Sequence, residues 1–136
     1  MALSTTGSCA ADTQNPMGGI AAIVNDKPIS KSELEARIAM AILSAGMDKN
    51  QQTYDYLAPQ VLDMMISEEL QLHRTEYFKL DVSPAEINLA IGNIEHRNGM
   101  NKNQLRETFA AHNIPFAAME KHIKAAIAWR EYIRER

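Results

Sequence analysis

The tetrad Ser83-Pro84-Ala85-Glu86 pins a helix start to one place in the chain. The serine hydroxyl can accept from the amide three residues on, and the glutamate carboxylate can reach back to the serine amide. Proline occupies the first helical position, where its missing N–H costs nothing. Two weaker versions of the same punctuation, Ser30 with Glu33 and Asn101 with Gln104, divide the sequence further. Around them apolar residues recur at helical spacing. The chain is therefore a succession of helices, and 136 residues allow one domain of them, or a domain and a tail. Apolar residues make up 46% and charged residues 23%, enough to bury a core.

Residues 1–18 are small and polar, lack a period and contain Pro16 and Gly18; they read as a disordered lead-in, with the domain occupying 19–136. No charged start followed by an apolar run is present, so they are not an intact secretory signal. Two readings stay open for Gly7 to Ala11: the remnant of a signal's cleavage region or lipoprotein attachment site, or simply a disordered terminus. Order begins at Gly19. Ile20 to Val24 form a short strand, Asn25-Asp26-Lys27-Pro28 a turn, and Pro28-Ile29 a second extended piece, together a small hairpin.

A first helix runs from its Ser30 cap to Ala45. Leu34, Ile38, Ala41, Ile42 and Ala45 make one stripe, while Met40, Leu43 and Met47 lie off it, so two faces are apolar and the helix is sandwiched. Gly46 ends it. A long helix from about Thr53 to Phe78 follows, kinked or delayed by Pro59, with Val61, Leu62, Met65, Ile66, Leu70, Leu72 and Tyr77 as its buried surface. The Ser83 helix stops at Asn98-Gly99; the Asn101 box starts a short helix closed by Asn113. Pro115 opens the last helix, whose inward stripe is Phe116, Met119, Ile123, Ala126, Ile127 and Arg130 or Ile133, with Trp129 and Tyr132 on a different face. The expected fold is mainly α: about five helices behind one short N-terminal β-hairpin.

Catalytic chemistry finds little footing. His73, His96, His112 and His122 show no spacing that brings two onto one helix face, so no metal site is expected. Glu69 and His73 stand four apart, which reads as a helix-stabilising pair. Glu68 and Glu69 are adjacent, about 100 degrees apart around a helix, and read as solvated. Cys9 has no basic neighbour to activate it, and Gly18-Gly19 precedes a strand and so makes no phosphate loop. No catalytic residue and no cofactor are expected. No run approaches the roughly 20 apolar residues of a membrane span. Residues 96–136 carry a net +4 and the preceding ones −7. Glu120, Glu131 and Glu135 nevertheless interrupt the basic stretch, and aromatics are too few for a stacking platform, so nucleic acid is not expected as a partner. Eight methionines favour an adaptable apolar binding surface.

The run Ile20 to Leu34, IAAIVNDKPISKSEL, resembles the opening of the SurA-type periplasmic chaperones and parvulin-like prolyl isomerases. The segment from Val82 to Phe109, with its S-x-x-E-I start and N-x-M-x-x-x-Q-L continuation, is similar to the same N-terminal domain, as is the last helix from Ile123 to Arg130. The resemblance covers residues 20–136. It implies a helical peptide-binding domain, related in fold to the chaperone domain of trigger factor, that holds unfolded outer-membrane proteins in the periplasm without ATP. Family members usually continue into one or two parvulin-type isomerase domains and a C-terminal helix and strand that fold back. These residues hold no such domain, and no isomerase activity is expected of them. Without that cover, exposed apolar surface would favour a homodimer or strand exchange. Helix geometry, as distinct from any family motif, nominates Met40, Leu43, Met47, Trp129 and Tyr132 as client-facing. The alternatives are the non-catalytic part of an isomerase and a structural dimerisation module.

Overall fold

The computed structural model describes residues 19–135; the lead-in read at residues 1–18, Cys9 included, lies outside the described residues. The expected hairpin is formed by β1 (Ile20–Val24) and β2 (Lys27–Ser30), paired antiparallel with Val24 opposite Lys27 and Ile20 opposite Ser30. Asn25 and Asp26 take φ of 50° and 68°, the left-handed pair that a two-residue turn needs and that short polar side chains tolerate. The hairpin buries Val24 and Ile29 and turns Ile20 and Ile23 outward.

Ser30 caps α1 (Lys31–Ala45), its Oγ accepting from the Glu33 amide at 3.0 Å. Gly46, at φ 66°, closes it, with the Met47 amide donating back to the Ile42 carbonyl at 3.2 Å. The two apolar faces expected of this helix are both used. Leu34, Ile38, Ala41 and Ile42 join Val24, Ile29, Val61 and Met65 in one core cluster. Ala39, Met40 and Leu43 pack against a second.

Helix α2 (Gln51–Tyr77) begins two residues before the expected Thr53, because Asn50 accepts from the Thr53 amide at 2.9 Å and so starts the helix itself. It runs through the exposed Pro59 without interruption. Its buried face also differs from the expected one. Leu70 and Tyr77 are exposed, whereas Glu68 and Glu69, read as solvated, are buried. Periodicity places apolar side chains inside, but here cations on α1 and α5 draw the two carboxylates in, and that rotates Leu70 and Tyr77 outward.

Helix α3 (Pro84–Arg97) carries the complete capping box: the Glu86 amide donates to Ser83 Oγ at 3.2 Å and the Ser83 amide to Glu86 Oε2 at 2.9 Å. Helix α4 (Gln104–Ala111) realises only the returning half of its box, the Asn101 amide donating to Gln104 Oε1 at 2.7 Å. Its N-terminus is capped instead from α3, where the buried Glu95 carboxylate accepts from the Leu105 amide at 3.0 Å. Helix α5 (Ala117–Arg134) starts two residues after Pro115 and packs on α1, α2 and α3. Its inward face is Ile123, Ala125, Ile127, Ala128 and Tyr132, while the expected Ala126, Arg130 and Ile133 face solvent. Tyr132 belongs inside because α2 supplies its partners: Arg74 Nε donates to its hydroxyl at 3.1 Å, and the Phe78 ring lies 5.4 Å away.

Candidate functional site

Two chain reversals build an open groove beside α1. At one, the Gly46 cap turns the chain so that the start of α2, with Tyr54, leans back over the end of α1. At the other, Asn113 takes φ 58° and the Ile114 amide donates to the Phe109 carbonyl at 2.9 Å, closing α4 and bringing Ile114 and Pro115 up as the opposite wall. The floor is α1 itself, with Ala39, Ile42, Leu43 and, at the far end, Met47. The groove encloses about 790 Å³. Its rim is polar: Ser32, Glu35, Lys49, Asn50, Gln51, His112 and Asn113. Burial pushes the Tyr54 hydroxyl above its ordinary pKa, and the Glu35 and Asp55 carboxylates add to the rise.

A polar seam on the other side of α1 holds that floor in place. Arg37 and Glu68 meet in a two-pronged pair, Nη1 to Oε1 at 2.7 Å and Nη2 to Oε2 at 2.8 Å, with both residues buried. His122 Nδ1 lies 2.7 Å from Glu68 Oε2 and 3.2 Å from Arg37 Nη2. An ionised carboxylate only accepts, so Nδ1 carries the proton and donates to Glu68. Burial alone would raise the Glu68 carboxyl; the hydrogen bonds from Arg37 and then His122, with their charges, outweigh it and hold its pKa below the ordinary value. Beside this seam Lys121 bridges Glu69 and Glu33, so Glu69 pairs with α5 and not, as read from the sequence, with the exposed His73.

A second cleft, of about 890 Å³, opens between the hairpin, α2, α3 and α5. Its walls are mostly charged and mostly satisfied: Lys27 pairs with Glu76 at 3.4 Å and Arg106 with Glu120 at 3.8 Å. The groove beside α1 is the more apolar of the two.

The nominated residues separate into three places. Leu43 and Met47 line the groove. Met40 is half-buried against the α3–α5 cluster and does not line it. Trp129 and Tyr132 lie at the far end of α5, stacked with ring centroids 5.0 Å apart, and Tyr132 is only 6% exposed. Tyr54, Ile114 and Pro115 escaped the sequence reading. The turn signals Gly46 and Asn113 mark the reversals that bring them to the groove, but which wall each would face depends on the packing of α2 and α5.

Fold and groove together define a small helical domain headed by a β-hairpin, with an apolar trough open along its first helix. The sequence model of the SurA N-terminal domain matches residues 17–132, and the chain belongs to that family. Similar proteins include the Chaperone SurA of Pseudomonas syringae pv. syringae, 32% identical over 128 residues, covering 90% of this chain and 29% of the relative. The Chaperone SurA of Xanthomonas campestris pv. campestris is 31% identical, covering 86% of this chain and 26% of the relative. That of Saccharophagus degradans is 27% identical, covering 85% and 27%. The chain thus spans between a quarter and a third of the length of these relatives.

Proposed function

We propose that residues 19–136 form a chaperone domain that holds extended, unfolded polypeptide segments in the groove beside α1. It would work in the periplasm, without ATP or cofactor, on outer-membrane proteins. The observation that carries this reading is an apolar trough with a polar rim in a domain whose relatives bear the name Chaperone SurA. An extended client can bury alternate side chains on Ala39, Leu43 and Met47, while its free backbone groups meet the amide side chains of Asn113 and Gln51 at the rim. Shallow burial of this kind gives weak, reversible affinity, which suits a holder that must release its client. Leu43 and Met47 are the proposed contacts in the groove; Trp129, braced by Tyr132, is a second contact outside it.

The test is a fluorescence-anisotropy titration of an unfolded peptide of alternating aromatic residues, with a charge-scrambled peptide as control. Saturable micromolar binding is expected. Met47→Glu should weaken it about three- to tenfold with helical circular dichroism unchanged, since Met47 is 38% exposed and its packing lies mainly in the groove. Absence of saturation, or indifference to Met47→Glu, would remove the groove from the reading. The competing assembly module has its own supporting observation, Ile20 and Ile23 at 57% and 64% exposed on β1. It predicts a defined dimer in sedimentation and no affinity for unfolded chains.

A further inference from the structure

The groove carries two charged side chains, Glu35 on its α1 wall and Lys49 beyond the end of α1. Neither forms an ion pair among the described residues. Asp48 neighbours Lys49 in sequence but does not line the groove and is not paired with it. The groove's other titratable groups leave this pattern intact. His112 Nδ1 is tied to the Thr108 carbonyl at 2.9 Å, and the Tyr54 hydroxyl, its pKa raised, stays neutral. Along the chain, the unpaired Glu35 carboxylate belongs to the second turn of α1 and the unpaired Lys49 ammonium follows its Gly46 cap, with the apolar floor residues Ala39, Ile42, Leu43 and Met47 between them in sequence. From Glu35 to the end of α1 at Gly46 the helix rises about 16 Å, the span of about five extended residues.

We infer that the groove selects extended segments bearing a cation and an anion about five residues apart, the cation seated over Glu35 and the anion over Lys49, with apolar side chains between. This rests on the groove being a polypeptide site and adds what kind of segment it takes. Two unlike charges at a fixed spacing also fix the direction in which a bound segment runs along α1. A segment with like charges at both ends satisfies one rim residue and repels the other.

The experiment uses the full chain and displaces the anisotropy probe with blocked peptides of alternating leucine and serine, about six residues long, so that their end residues stand five apart. Their ends carry one Lys and one Glu, two Lys, or two Glu. The mixed peptide should compete about two- to fivefold better than either like-charged one, the size expected for exposed charge pairs, and high salt should level the three. Glu35→Lys should move the preference to the two-Glu peptide, and Lys49→Glu to the two-Lys peptide. Preferences that stay the same in all three proteins, while Met47→Glu still weakens binding, would overturn the charge selection and leave the groove reading standing. Indifference to Met47→Glu as well would overturn both.

Discussion

The two core clusters of the domain are held by different physics. The first, between the hairpin, α1 and the first half of α2, draws its residues from Ala21 to Ile66, and its edge toward α5 is a seam of buried charge: Arg37, Glu68 and, alongside, Glu69. The second, between α3, α4 and α5, is sealed by apolar and aromatic packing. Phe109 meets Phe116 edge-on at 5.2 Å, and Arg106 covers the Phe116 ring with its guanidinium 4.4 Å from the centroid. The single buried charge within that half, Glu95, caps a helix instead of joining an ion pair. Apolar packing tolerates small rotations of a helix, whereas a two-pronged pair does not. The two-pronged pair therefore fixes the rotation of α1 against α2, and His122, donating to Glu68, ties α5 to the same pair. Buried ion pairs of this kind add orientation more surely than they add stability.

Breaking the seam is the sharpest way to separate the two halves. Arg37→Met leaves the buried Glu68 carboxylate with the His122 hydrogen bond alone and should cost about 3 kcal/mol in urea denaturation, the low end for breaking a buried pair. The double variant Arg37→Met with Glu68→Leu should recover most of that loss. A double variant as unstable as the single one would mean that the seam contributes net stability and not only orientation.

Acid acts on the same seam more gently. Because the folded pKa of Glu68 is depressed, its contribution is complete above the unfolded carboxyl value of about 4.3 and is lost as pH falls through that value toward the lower folded one. The wild type should therefore lose more of its urea midpoint below about pH 4 than the Arg37→Met, Glu68→Leu double variant, which has no such group to protonate. Equal losses in the two proteins would place the acid sensitivity elsewhere.

The smallest effect belongs to the apolar half and has the opposite sign. Gly92 lies exposed in the interior of α3, and a Cβ added there meets nothing within 4 Å. Gly92→Ala should raise stability by about 0.5–1 kcal/mol, read as a higher thermal midpoint.

What could be seen in the sequence follows the same division. Local chemistry was legible: the Asn25-Asp26 turn, the Ser30 and Ser83 caps, the Gly46 stop and the two apolar faces of α1 each depend on residues within a turn or two of one another. The seam was not. Glu68 is drawn inside by Arg37, 31 positions away, and by His122, 54 positions away, and no periodicity within α2 records either partner. Tyr132 was misplaced for a like reason, its hydrogen-bonding partner Arg74 lying 58 positions away. In the groove, Leu43 and Met47 could be found because they stand off the main stripe of α1. Met40 stands off it too and, like Leu43, packs on the α3–α5 cluster, but it does not reach the groove, and only tertiary packing tells the two cases apart.

Helix α1 gives side chains to both clusters, Ile38 to one and Ala39, Met40 and Leu43 to the other. A domain with two separate cores could melt in two stages, one half opening while the other stayed closed. Here neither half can open without stripping a face from the same helix, so the loss of one is passed directly to the other. The two cores are thereby joined into one cooperative unit through the helix that forms the groove floor.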